Sequence, residues 1–215
     1  MKDSLYLKSF PVGPLQCNCT IIGDKKTGHA LIVDPGGDAQ KILELLEQEN
    51  FNAVEVIHTH AHFDHFLASG EIKKKKGAKL GLHKDDHMLW SHLEDQCQMF
   101  GMPFNPVPDP DHWLEDQQEI YLGSRRCGTA LHTPGHTPGS MSFLFSDLKL
   151  LIAGDTLFNR GIGRTDLWGG DYSLIEKSIK NVIYKLDEQL EVITGHGPST
   201  RIVDEMRENP FIKAG

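Results

Sequence analysis

The sequence has no apolar run that approaches the ~18 residues of a membrane-spanning helix. Its opening, Met1-Lys2-Asp3-Ser4-Leu5-Tyr6-Leu7-Lys8, lacks the apolar stretch of a secretory leader, so a cytoplasmic protein without membrane partners is expected. Cysteine is sparse, at Cys17, Cys19, Cys97 and Cys127, and no two of them have C-x-x-C spacing. Without a secretory signal an even count does not imply disulfides, and all four are expected as buried or inert thiols. An excess of positive charge is missing too. The formal net charge is −8, which argues against a nucleic-acid binder that tracks phosphates with a basic face. Gly (21) and Pro (11) follow no period, which sets aside collagen-like chains. What remains is a 215-residue globular chain, 39% hydrophobic, long enough to bury roughly 70% of its unfolded surface without staples.

The first third alternates strand and helix. Leu5–Leu7, Thr20–Ile22 and Ala30–Val33 are short apolar or β-branched runs, the last two joined by a turn at Asp24-Lys25-Lys26-Thr27-Gly28. After Asp34-Pro35-Gly36-Gly37, Asp38 is placed to cap a helix through Glu49, and Ala53–Ile57 is a strand ending at a histidine-rich loop. Helices are expected over Phe66–Lys76, stopped by Gly77, and over Asp85–Phe100, with a strand at Leu80–Leu82 between them. The second half repeats the plan. Strands fit at Glu119–Leu122, Cys127–His132, Ser140–Phe145, Leu148–Ala153 and Glu191–Thr194. Ser173-Leu174-Ile175-Glu176 reads as a capping box before a helix carrying Ile175, Ile179, Val182, Ile183 and Leu186, and a last short helix stops before Asn209-Pro210. Strands then helix, twice, with no linker, predict one α/β domain over residues 1–215. Two β-sheets pack face to face in it, with helices outside.

Histidine is the residue in excess, with 12 copies. His58-Thr59-His60-Ala61-His62-Phe63-Asp64-His65 follows a predicted strand directly. Imidazole and carboxylate are the ligands of zinc and other borderline divalent ions. His60 and His62 point the same way along extended chain and can grip one ion; Asp64 and His65, past the turn, can reach a second. A single histidine here would read as a solvated loop residue, but four ligand-type residues in six positions need partners or a metal. Three more candidates lie in Gly/Pro loops at strand ends: His136, Asp155 and His196. The other histidines, His29, His58, His83, His87, His92, His112 and His132, fall outside this pattern. His58 can support the site from behind, and His132 can pack under the loop. Met88, Trp90, Met99 and Phe100 read as helical core or cover, with a substrate mouth as the alternative.

Taken together, Val33-Asp34-Pro35-Gly36-Gly37, His60 to His65, His136, Ala153-Gly154-Asp155-Thr156 and Gly195-His196-Gly197 resemble the metallo-β-lactamase superfamily, over nearly the whole chain and in the family's order. The resemblance implies the αββα sandwich. It implies that His60, His62 and His136 hold a first ion, that Asp64, His65 and His196 hold a second, and that Asp155 bridges both. Asp34 is then a supporting residue behind the ligand loop. Zinc is the first expectation for the two ions, with iron or manganese also accepted by such sites. Two ions of this kind generate hydroxide near neutral pH and polarise a carbonyl, and Asp64 would orient the nucleophile.

Within the superfamily, Gly154-Asp155-Thr156-Leu157-Phe158 and Gly161-Ile162-Gly163-Arg164 resemble the hydroxyacylglutathione hydrolases, the glyoxalase II group. The implied reaction is S-lactoylglutathione plus water giving lactate and glutathione, a step in methylglyoxal detoxification. A thiolate leaves readily, with a pKa near ~8.5, so no strong general acid is required. Long members add a helical C-terminal domain that contacts glutathione; the chain resembles the short bacterial type without it, down to Asn209-Pro210-Phe211-Ile212. Arg164 is then a contact for a substrate carboxylate or a partner of Asp166 or Asp171, and Asn159 and Arg160 are further substrate-binding candidates. The main competing reading is a persulfide dioxygenase with one iron held by His60, His136 and Asp155. Gly195-His196-Gly197-Pro198 departs from the Pro-Ala-His-Asp-type string of those enzymes. A lactonase also stays open, because the nucleophile is indifferent to ester type.

Overall fold

A computed structural model describes residues 4–213, so Met1–Asp3 of the opening segment lie outside the described residues. The first sheet runs in spatial order through β1 (Leu5–Val12), β2 (Cys17–Asp24), β3 (His29–Val33), β4 (Asn52–Ile57), β5 (Lys79–His83) and β6 (His112–Leu114). β1–β3 are antiparallel, whereas β3–β6 are parallel, with α1 (Ala39–Gln48) and α2 (Ser69–Lys76) making the first two crossovers. The second sheet is built from β7 (Glu119–Leu122), β8 (Arg125–His132), β9 (Met141–Phe145), β10 (Leu150–Gly154), β13 (Glu191–Thr194) and β14 (Thr200–Arg201). A two-stranded ribbon, β11 (Leu157–Phe158) and β12 (Gly161–Ile162), stands apart. α3 (His87–Ser91) and α4 (Leu93–Met99) follow β5; α5 (Tyr172–Asn181) and α6 (Ile202–Glu208) flank the second sheet.

The period-two pattern of the strands produces the four layers. On β2 and β3, Ile21 and Ile32 face out and pack with Ile42 and Leu46 of α1 and Ile72 of α2. Their neighbours Ile22, Leu31 and Val33 face in, against Phe143, Phe145, Ile152 and Ile193 of the second sheet. On β10 the alternation repeats, with Leu151 and Ala153 packed against Ile175 and Ile179 of α5. Among the described residues no helix is long and apolar enough to cross a membrane. All four cysteines are free and buried, as expected.

Several boundaries depart from the sequence reading, each for a local reason. Asp38 does not cap α1. Its backbone is left-handed (φ 50°), and its carboxylate accepts from Gly13 N–H at 3.1 Å instead. The segment over Phe66–Lys76 becomes helical only at Ser69, because a 3₁₀ turn at Phe63–His65 precedes it. The helix expected over Asp85–Phe100 breaks at His92, where the Ser91 hydroxyl and His92 Nδ1 both donate to carbonyls of the preceding turn. β6, β14 and the β11–β12 ribbon are short pairings that no run of apolar residues announces.

The capping box at Ser173–Glu176 is also displaced. Asp171 is the cap, its carboxylate accepting from Leu174 N–H at 3.0 Å. We therefore expect Asp171→Ala to cost about 1 kcal/mol in denaturant unfolding and Ser173→Ala to be near neutral. Equal effects would contradict the assignment.

Candidate metal centre

The loops that leave the C-terminal ends of β4, β8, β10 and β13 collect at one edge of the sandwich. They carry His60–His65, His136, Asp155 and His196 respectively. An isolated antiparallel bridge between Cys17 and His196 ties the two sheets together there, and Asn18 Nδ2 donates to the carbonyls of Thr194 and Gly197, each at 2.9 Å.

The hydrogen bonds behind the rings fix which nitrogen carries the proton. His136 Nδ1 donates to the Arg164 carbonyl at 2.8 Å, and His196 Nδ1 donates to the Leu15 carbonyl at 2.9 Å. His65 Nδ1 donates to Asp34 Oδ2 at 3.0 Å. The Thr59 hydroxyl gives its proton to Asp34 Oδ2 at 2.6 Å, so it accepts from His60 Nδ1 at 3.1 Å. The Nε2 atoms of these four rings are therefore bare lone pairs aimed inward. They crowd together. His62 Nδ1 lies 3.1 Å from His60 Nε2 and 2.9 Å from His136 Nε2, and His65 Nε2 lies 3.3 Å from His196 Nε2.

Carboxylates complete the cluster. Asp64 Oδ2 lies 3.1 Å from His196 Nε2. Asp155 sits between the two groups of rings, Oδ2 at 3.5 Å from His136 Nε2 and Oδ1 at 3.5 Å from His65 Nε2. Its Oδ1 is buried with no hydrogen-bond donor. Three overlapping groups could each hold a metal ion: His60, His62 and His136; Asp64, His65 and His196; and His60, His65 and Asp155. Converging lone pairs and an orphaned buried carboxylate oxygen are costly alone and fit divalent cations in their midst.

The electrostatics divide the rings. Burial, reinforced by neighbouring imidazoles, holds His60 well below the usual histidine range and takes His62 down to about 3. Burial lowers His136 as well. For His65 burial also acts downward, but the carboxylates of Asp64, Asp155 and Asp34 outweigh it and raise the ring. Burial would raise Asp64, yet His65 and His196 bring it down to about 2, so it is ionised at neutral pH. Burial pushes the Cys17 thiol up to about 12, so it faces His65 Nδ1 at 3.5 Å as a neutral group.

Asp34 is buried in a left-handed conformation (φ 51°) and accepts from Thr59 N–H, the Thr59 hydroxyl and His65 Nδ1. His58 turns away, its ring held between the Gly81 carbonyl and Ser69 Oγ. His132 stacks on His83 at 4.2 Å, outside the cluster. Arg164 grips Asp166 with two hydrogen bonds, at 2.7 and 2.9 Å, while its side chain still borders the pocket over the cluster. Asn159 donates to the Ser199 carbonyl and lines a different, polar cavity that it shares with Arg160 and Glu205. Trp90 is core, stacked on Phe66, but Met99 and Phe100 are exposed beside the pocket.

Two residues escaped the sequence reading. Asp86 is fully buried and accepts from Ala61 N–H, Gly139 N–H and the Thr137 hydroxyl, pinning the His60–His62 loop to the His136 loop. Gln96 holds Phe63 N–H and the Ala61 carbonyl from α4. Neither belongs to a local motif.

Glycine is required where backbone meets ligand. A Cβ on Gly195 would lie 1.8 Å from Asp155 Oδ1 and 3.0 Å from His65 Cε1. Gly195→Ala is therefore expected to lower metal affinity by on the order of 10–100-fold although no ligand is changed. Competition with a chromogenic chelator measures it, and unchanged affinity would contradict the geometry.

Comparison with known proteins places this architecture. The chain is 36% identical to the hydroxyacylglutathione hydrolase GloC of Haemophilus influenzae, over 98% of this chain and 99% of that one. The crystal structure of the BLEG-1 B3 metallo-β-lactamase superposes with a TM-score of 0.89 at 36% identity, covering 96% of this chain and 99% of that one. That of TTHA1623 in a di-iron-bound form does so with a TM-score of 0.87 at 29% identity, covering 94% and 98%. The family model of the metallo-β-lactamase superfamily matches residues 12–196, a span that opens on β1 and closes on the last histidine of the cluster. With fold, site and sequence in agreement, the chain belongs to the metallo-β-lactamase superfamily.

Proposed function

We propose that this metal-dependent hydrolase cleaves glutathione thioesters, S-lactoylglutathione first among them. In this reading His60, His62 and His136 hold one ion, Asp64, His65 and His196 hold the other, and Asp155 serves both. Zinc is the first candidate, and iron or manganese suit the same donors. The observation that carries the dinuclear reading is the inward convergence of bare ring nitrogens around Asp155. The thioester assignment is supported by the hydroxyacylglutathione hydrolase relative, which matches end to end.

When bound, two such ions supply a hydroxide nucleophile near neutral pH and polarise the acyl carbonyl. The chain supplies orientation. Asp34 fixes Thr59 and His65 from behind, and Thr59 in turn fixes His60. Asp64, ionised and facing the pocket, accepts a hydrogen bond from the attacking water. A thiolate leaving group needs no proton donor. Arg164, on the rim, reaches a substrate carboxylate by releasing Asp166.

The test is steady-state hydrolysis of S-lactoylglutathione by the fully metallated protein. A kcat/KM of about 10⁴ M⁻¹ s⁻¹ or more is expected, within the ordinary enzyme range. Absence of thioester cleavage, with turnover of a lactone or a β-lactam instead, would overturn the assignment.

A further inference from the structure

We propose that an apolar slot beside His62 receives the side chain of the substrate's acyl group, so that cleavage improves as an unsubstituted acyl chain lengthens from acetyl. The inference rests on the thioester reading above for its main assay.

Two cavities meet at the centre. The larger, of about 150 Å³, is bordered by His62, Asp64, His136, Asp155 and His196. The smaller, of about 40 Å³, is walled by Leu89, Met99, Phe100, Leu167 and Trp168. They share His62, Gln96, Phe100 and Leu167, so they adjoin. A group bonded to a carbonyl carbon over the cluster has this apolar recess beside it.

The chemistry of the walls favours an apolar chain. Gln96 is already used: its Oε1 accepts from Phe63 N–H at 3.0 Å, and its Nε2 donates to the carbonyls of Ala61 and Leu89 at 3.1 and 2.7 Å. No charged side chain lines the slot, because Arg164 borders only the larger cavity. Apart from the edge of His62 and the indole N–H of Trp168, the side chains that line the slot are apolar or, for Gln96, already paired. Met99, Phe100 and Trp168 are 59%, 46% and 43% exposed, so an apolar chain laid on them removes their surface from water as well as its own.

The experiment compares kcat/KM for S-acetyl-, S-propanoyl-, S-butanoyl-, S-hexanoyl- and S-lactoylglutathione. Each added methylene that enters the slot is expected to raise kcat/KM by up to about fourfold. Met99→Ala and Trp168→Ala, at exposed positions, flatten the rise. Inhibition constants of acetate, propanoate and butanoate follow the same order and depend on no assumption about the bond cleaved. Affinity that fails to rise from acetate to butanoate, or kcat/KM that fails to rise from acetyl to butanoyl, overturns the proposal. Loss of all thioester cleavage with the carboxylate trend intact overturns only the thioester reading.

Discussion

Asp155→Ala is expected to lower turnover by on the order of a thousandfold or more and to take the metal content from the proposed two equivalents to one or fewer. The magnitude is that of removing a principal electrostatic stabiliser from a catalytic site. Among the described residues Asp155 is the only carboxylate within 4 Å of rings from both groups, reaching His136 with one oxygen and His65 and His196 with the other. Without it the ring nitrogens keep their lone pairs and lose the negative charge that draws two cations together. The strand before it, Leu150–Gly154, is buried through its own apolar residues, so the variant is expected to fold. Asp155→Asn keeps the shape and should show nearly the same loss. Elemental analysis and steady-state kinetics on one preparation check both effects; normal metal content would contradict the bridging role.

Asp86→Ala is expected to cost about 3–5 kcal/mol of stability and to weaken metal binding by about 10–100-fold, although Asp86 touches no ligand side chain. Burial pushes its carboxyl up to about 6 against the pull of its hydrogen-bond donors, so it is mostly ionised at neutral pH. Its removal strands two donors, Ala61 N–H and Gly139 N–H, and leaves the Thr137 hydroxyl with Ser140 Oγ alone. A buried donor without a partner costs about 1–3 kcal/mol, which sets the scale. The loops carrying His60, His62 and His136 would then lose their common anchor. Chemical unfolding of the metallated protein, with chelator competition beside it, measures both; a loss below about 1 kcal/mol would show that water replaces the carboxylate without consequence.

The layered plan was legible in the chain because strand alternation and helical periodicity are local. Ile21–Ile22 and Leu31–Ile32 divide between two cores within single turns of the pleat. The seven metal-type residues were legible for a related reason. Four are packed into His60–His65, and the other three each stand in a Gly/Pro loop after a readable strand. What local pattern does not encode was missed. Asp86 acts 25 residues from Ala61 and 53 from Gly139, so only the fold reveals it. The slot walls come from α3, α4 and the Leu167–Trp168 loop, which share no motif. Asn159 sits in the turn of the β11–β12 ribbon, a two-residue pairing no sequence period announces, and faces a different cavity. Asp171 outcompetes Ser173 as a cap because the chain enters α5 two residues earlier than the box implies.

The central claim is a dinuclear hydrolytic centre, and counting its ions tests it most directly. Metal content per chain should be measured on the sample that is then given S-lactoylglutathione and glutathione persulfide in an oxygen electrode. The account expects two equivalents, thioester cleavage and no oxygen uptake. One equivalent of iron, with oxygen consumed on the persulfide, would contradict it.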